Sequence, residues 1–177
     1  MPRLFTGLEL PEGVAGAIAL ARGGVFGARW IEPEDYHITL RFVGEVDSRV
    51  AHEIAETLND IRRPTLDVRF DGLSWFGGDK PRAIVARVKL DPALVDLQAE
   101  HERRLRRIGL PPETRKFKPH VTLARLRGAG TAAVADFLGS RGRLDVEAFT
   151  ARRFVLYSAK GGGGGGPYVV EAAYPLG

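Results

Sequence analysis

YHITLRF at residues 36–42 returns as PHVTLAR at 119–125, so two of the chain's four histidines sit in the same phrase, His-x-Thr-Leu. In the first copy Ile38, Leu40 and Phe42 alternate with His37, Thr39 and Arg41, the period of a half-buried strand. Side chains two apart on a strand share a face at a spacing of about 7 Å. Each histidine therefore travels with its threonine, while the leucine points the opposite way, into a core.

The surroundings of the two phrases also match. RLFTGLEL (3–10) predicts a strand, and PEGVAGAIALARG a helix over about 11–22 that opens on proline, a residue suited to a first turn. After the first motif, Asp47 or Ser48 caps a helix through about Ile61, with Val50, Ile54, Leu58 and Ile61 at helical spacing; TLDVRFDGL (65–73) is the next strand. The order then restarts. PRAIVARVKL (81–90) predicts a strand, and Asp91, Pro92 and Gly109 mark the cap, first turn and stop of a helix that leads to the second motif. A helix at 131–139 and strands at 143–149 and 152–158 follow. The intervals from Arg3 to His37 and from Ala83 to His120 are nearly equal. This predicts a single α+β domain over 1–177 with an internal repeat of about 3–80 and 81–159, closed by a strand at 167–174. If two such lobes meet around a pseudo-twofold axis, both His-x-Thr pairs can face one central cleft.

Composition narrows the chemistry. The 177 residues are 44% hydrophobic and 27% charged, the balance of a globular chain. The absence of cysteine excludes disulfides, thiolate zinc sites and cysteine nucleophiles. The N-terminus lacks the layout of a secretory signal and no apolar run approaches the roughly 20 residues of a membrane span, so the expected location is cytoplasmic. A net charge of +4 and a pI of about 9.7 favour an anionic partner. HERRLRRIGL (101–110) reads as a solvated helix face, whereas Arg115, Lys116 and Lys118 stand just before the second motif. The run GGGGGG at 161–166 leads into Pro-Tyr and a strand, which suits a mobile hairpin connection better than a phosphate-binding loop.

A lone histidine on a strand is usually structural; a His/Thr face repeated at corresponding places calls for another explanation. Imidazole titrates near neutrality, so one ring can accept a proton while another donates one. Two such rings suffice for acid-base catalysis at phosphorus, with threonine hydroxyls holding phosphoryl oxygens. A guanidinium would balance the developing charge. Arg125 is near but has the wrong strand parity, needing a bend, a bulge or its own reach; Arg41 has the right parity and competes. No third histidine or carboxylate lies at metal-ligand spacing from either motif, so no metal is expected, and no Gly-x-Ser-x-Gly turn is present. His52 and His101 lie in helical segments without a threonine and are expected at the surface or its boundary.

These residues closely resemble the two-histidine phosphoesterase superfamily, and within it the bacterial and archaeal RNA 2′,3′-cyclic phosphodiesterases, historically called 2′-5′ RNA ligases. The resemblance runs through RLFTGLELPEG, WIEPEDYHITLRFVGEV, GLSWFGGDKPRAIVARV, GLPPETRKFKPHVTLARL, VLYSAK and PYVVEAAYPL. It implies a bilobal α+β fold of antiparallel sheets flanked by helices, with a central cleft carrying both motifs, and cofactor-free, metal-independent opening of a terminal 2′,3′-cyclic phosphate of RNA, tRNA fragments included, to a 2′-phosphate by a monomer. By that resemblance His37 is the proton donor to the leaving O3′ and His120 the proton acceptor that activates water. Thr39, Thr122 and Arg125 bind the phosphate. Phe5 is the candidate for stacking on the terminal base, with Trp30, Trp75 and Phe117 as alternatives. Reverse 2′-5′ ligation, hydrolysis of a small cyclic phosphate, and a non-catalytic RNA-binding module are the competing functions.

Overall fold

The computed structural model of the chain describes residues 2–160 and 166–177. In chain order its elements are β1 (Arg3–Glu9), α1 (Glu12–Ala19), β2 (Ala28–Trp30), β3 (His37–Glu45), α2 (Ser48–Leu58), β4 (Leu66–Val68) and β5 (Phe70–Phe76). They continue with β6 (Ala83–Val88), α3 (Pro92–Arg107), β7 (His120–Leu126), α4 (Thr131–Arg141), β8 (Phe149–Ala151), β9 (Arg153–Ala159) and β10 (Tyr168–Pro175). The fold is α+β. Its main sheet is antiparallel in the order β10-β9-β1-β3-β7-β6-β5, with β2 added beside β7, while β4 and β8 form a separate pair.

The helices start where the sequence places them. Asp47 accepts a hydrogen bond from the Val50 N–H at 2.8 Å, and Asp91 from that of Ala93 at 2.9 Å, each satisfying a donor that a helix start leaves open. Ile54 and Leu58 of α2 and Leu94, Leu97 and Leu105 of α3 are buried in one core with Ile38, Leu40, Val121 and Leu123 of the two motif strands. One side of the sheet is thus sealed by helices, and the His-x-Thr side faces away from it.

The halves of the sheet meet where β3 runs antiparallel to β7 at Ile38 and Val121. The local surroundings of β3 and β7 correspond: Glu9 and Gly7 of β1 lie opposite His37 and Thr39, as Arg87 and Val85 of β6 lie opposite His120 and Thr122. Chain order does not follow the halves, however. β5, from the first half of the sequence, pairs with β6, and β9, from the second, pairs with β1. Each half of the sheet is completed by a strand from the other half of the chain.

Several boundaries differ from the sequence reading. TLDVRFDGL divides between β4, in the small sheet, and β5, in the main one. Of the strand expected at 143–149 only Phe149 is in a strand, as the first residue of β8, and α1 stops at Ala19. The hairpin connection expected at 161–166 lies, but for Gly166, outside the described residues. No helix among the described residues is long and apolar enough to cross a membrane.

The placement of His101 at the surface is overturned. His52 is exposed, but His101 lies fully buried on α3, in the stripe of Leu94, Leu97 and Leu105. Its Nδ1 meets Thr6 Oγ1 at 3.0 Å and its ring stands edge-on to Phe154, with centroids 4.6 Å apart. Burial pushes its pKa down to about 3. A depressed value means the fold holds the neutral ring: stability is full above the ordinary value of 6.5 and declines as pH falls toward 3. The limiting slope is about 1.4 kcal/mol per pH unit. Urea midpoints at pH 7 and pH 5 should therefore differ less in His101→Gln than in the wild type, and an equal difference would contradict the buried neutral ring.

Candidate active site

The same hydrogen bond fixes both motif histidines. His37 Nδ1–H donates to the carbonyl of Asp35 at 2.9 Å, and His120 Nδ1–H to that of Lys118 at 2.6 Å, in each case two residues upstream. A carbonyl only accepts, so both rings carry the Nδ1 proton and exchange protons through Nε2. Thr39 Oγ1 lies 3.1 Å from His37 Nε2 and donates to it while that ring is neutral. Because β3 and β7 are antiparallel about Ile38 and Val121, His37 runs toward Thr122 and Thr39 toward His120.

Aromatic rings hold the imidazoles in place. His37 packs against Phe5, Tyr157 and the edge of Tyr168, with centroids 4.8, 5.4 and 4.9 Å away. His120 has Phe76 edge-on at 4.7 Å. Gly7, opposite Thr39, leaves the room this requires: a Cβ there would fall 2.7 Å from the Ile38 carbonyl oxygen. Desolvation is the main cause that drives His37 down to about 4, with His120 and Arg125 adding repulsion. His120 is lowered by burial first and then by Arg125. Both rings are neutral at pH 7 in the unliganded protein, and the mutual effects place the two histidines and Arg125 in one electrostatic neighbourhood.

Arg125 reaches that neighbourhood through a bulge. In the β6–β7 ladder Val85 opposes Thr122 and Ile84 opposes Ala124, so Leu123 is an extra residue and parity reverses after it. Leu123 and Ala124 are both buried, and Arg125 emerges on the histidine side. The β1–β3 ladder has the same irregularity at Leu40, between Thr39 opposite Gly7 and Arg41 opposite Thr6. Here the strict alternation expected through Phe42 fails. Phe42 turns outward, 37% exposed, and Arg41 turns into the core, 6% exposed. Arg41 pairs with Glu102 of α3 at 2.5 Å and donates to the carbonyls of Phe42 and Pro111, so it is not the competing phosphate ligand.

The aromatic candidates are redistributed as well. Phe5 is 5% exposed, stacked on Tyr157 and flanked by His37 and Tyr168, so it supports the histidine and has no free face for a base. Trp30, Trp75 and Phe117 all pack against the main core, Trp30 on Phe137 of α4. The sequence reading missed Phe76, Tyr157 and Tyr168. Phe76 and Tyr157 occupy matching places, each opposite the strand that flanks a motif strand, but that match is visible only once β5 and β9 have exchanged halves. A cavity of about 510 Å³ opens beside His37, lined among others by Glu9, Asp35, Tyr36, Tyr157 and Tyr168. Among the described residues no group of three or more histidine or carboxylate side chains is placed to hold a metal ion.

Comparison with known proteins defines the family and the fold. The family model described as LigT like Phosphoesterase matches residues 8–85 and 88–168, and the chain belongs to that family. Among its curated relatives, the RNA 2′,3′-cyclic phosphodiesterase of Aeropyrum pernix is 40% identical over 119 residues, covering 66% of this chain and 68% of the relative. The protein of the same name from Archaeoglobus fulgidus is 28% identical over 87% of this chain and 92% of its own. In fold, E. coli LigT complexed with 3′-AMP superposes with a TM-score of 0.79 at 23% identity, covering 99% of both chains. The TT0787 protein of Thermus thermophilus gives 0.80 at 22% identity, covering 98% of this chain and 97% of that one.

Two outcomes follow from the geometry. Arg41→Ala, which leaves Glu102 without its buried partner, should lower unfolding stability by about 3–5 kcal/mol in urea titration; a loss below about 1 kcal/mol would contradict the buried pairing. In the unliganded protein, NMR titration of the imidazole signals should place His37 near pH 4 and His120 below 6.5. A midpoint for His37 at or above 6.5 would contradict its desolvated setting.

Proposed function

We propose that the chain hydrolyses the 2′,3′-cyclic phosphate at the end of an RNA to a 2′-phosphate, without a metal or other cofactor. The observation that carries this reading is the pair of imidazoles, each fixed through Nδ1 so that Nε2 is left for proton exchange, near enough to influence one another electrostatically, with Arg125 turned to their side of the sheet by the Leu123 bulge. The names of the curated relatives support the substrate.

In this mechanism His120 Nε2 takes a proton from water as its oxygen forms a bond to phosphorus. The bond from phosphorus to O3′ breaks, and His37 Nε2–H delivers a proton to the departing oxygen. The product carries a 2′-phosphate and a free 3′-hydroxyl. His37 must be charged to do this, although burial holds it neutral in the empty site. The phosphodiester anion supplies the counter-charge: it offsets the repulsion from Arg125 and favours the protonated ring. On protonation Nε2 no longer accepts from Thr39, whose hydroxyl is released to a phosphoryl oxygen with Thr122 and Arg125.

The test is product analysis with a short RNA ending in a 2′,3′-cyclic phosphate, in the presence of EDTA. A 2′-phosphate product is expected, with kcat lowered about 10²–10⁴-fold in His37→Ala and in His120→Ala. A 3′-phosphate product would reverse the leaving-group assignment. Loss of activity in EDTA, restored by a divalent ion, would overturn the two-histidine mechanism.

A further inference from the structure

Phe26 is 92% exposed, far more than a large aromatic side chain ordinarily is in a folded domain. It does not hang on a loose loop. Val25 before it is buried, and the Ala28 N–H donates to the Val25 carbonyl at 3.3 Å, closing a β-turn with Phe26 at its first corner. Gly27 takes the second corner with φ +82°, as a type II turn requires. Its carbonyl accepts from the Arg127 N–H at 3.0 Å, and a Cβ on it would fall 2.6 Å from the Arg127 carbonyl oxygen. The turn is therefore clamped on both flanks, and it presents Phe26 to solvent.

The clamp lies at the end of the strand that carries the second motif. β2 continues from the turn along β7, setting Arg29 opposite Arg125. Residues opposite one another across a ladder share a face, so Arg29 extends the line of Arg125, and Arg127, two residues beyond the bulge-corrected Arg125, joins the same side. All three arginines are exposed. With Leu123 taken up in the bulge, Thr122 to Arg127 advances by about 13 Å along the ladder at roughly 3.3 Å per step, the span of about four nucleotides stacked at about 3.4 Å. The same stretch of chain runs from Phe26 through Arg29 to Pro33 and Asp35, which line the cavity beside His37.

We propose that Phe26, Arg29 and Arg127 form a binding track for the single-stranded RNA upstream of the reacting terminus, with Phe26 as a stacking platform for a base about three to four nucleotides from the end and the arginines as phosphate contacts. Stacking on an aromatic face tolerates any base, so the track selects for length of RNA and not for sequence. This rests on the RNA-end reading above, and it adds what that reading leaves open: polymeric RNA is preferred over a cyclic mononucleotide.

The test compares adenosine 2′,3′-cyclic monophosphate with a five-nucleotide RNA ending in a 2′,3′-cyclic phosphate. Wild type should favour the pentanucleotide in kcat/KM. Phe26→Ala should lose about tenfold on the pentanucleotide, chiefly in KM, with no change on the mononucleotide, and Phe26→Trp should restore it. Arg29→Ala and Arg127→Ala should each reduce the salt dependence of pentanucleotide binding, lowering the slope of log K against log salt by about 0.7. An equal loss on both substrates, or none on either, would overturn the track. Direct binding of the 2′-phosphorylated pentanucleotide, followed by fluorescence anisotropy, separates this from failure of the function itself. Binding that weakens in Phe26→Ala in a protein without turnover sinks the enzymatic reading and keeps the track; turnover with binding indifferent to Phe26 does the reverse.

Discussion

Each His-x-Thr strand bulges at its leucine against the strand beside it, and the placement of the site depends on that irregularity. Leu40 and Leu123 are the unmatched residues there, and β3 has a second bulge further on, at Val43. Up to each bulge the strand alternates, with histidine and threonine on one side and apolar residues in the core. After it the parity reverses, so a residue five positions past the histidine rejoins the histidine's side. In the second copy that residue is Arg125, and in the first it is Phe42. The residue just before, Ala124 or Arg41, is carried into the core instead. An alanine is accepted there at no electrostatic cost. An arginine is accepted only because Glu102 and two carbonyls meet it.

The bulges give the two halves of the cleft different characters while the hydrogen bonds keep the two motif imidazoles alike. The half around His37 is aromatic, with Phe5, Tyr157 and Tyr168 enclosing the ring, and its neighbouring cavity carries carboxylates at Glu9 and Asp35. The half around His120 is basic, with Arg125, Arg29 and Arg87 on the same face. Burial makes both imidazoles poor proton carriers when the cleft is empty. A bound phosphodiester would change that balance locally, and in the proposed mechanism proton donation from His37 is thereby coupled to the presence of the substrate.

The motif strands are legible in the sequence because their signals are local. Alternation marks His-x-Thr-Leu as strand, Asp47 and Asp91 mark helix starts, and the repetition of a polar pair on one face points to a shared site. Other features depend on partners distant in the chain. The ladder in which Leu123 is unmatched belongs to β6, and β7 alone cannot reveal it; the sequence states only that Arg125 needs a bulge to arrive. The repeat suggests two halves of chain, whereas β5 and β9 exchange places, which hides Phe76 and Tyr157. His101 is misplaced when a polar residue is read by its type and not by its helical position, since the spacing of Leu94, Leu97 and Leu105 puts it in the apolar stripe. Phe5 reads as a platform from its strand alone, without the rings that cover it.

The central claim is that the two imidazoles and Arg125 converge on a single phosphate. The most direct measurement is an NMR titration of ¹⁵N-histidine-labelled protein with a nucleoside 2′-monophosphate. The account predicts that the Nε2 signals of His37 and His120 move together with one dissociation constant, while His52 and His101 stay still, and that Arg125→Ala weakens both responses equally. Movement of only one motif histidine, or two different dissociation constants, would contradict it.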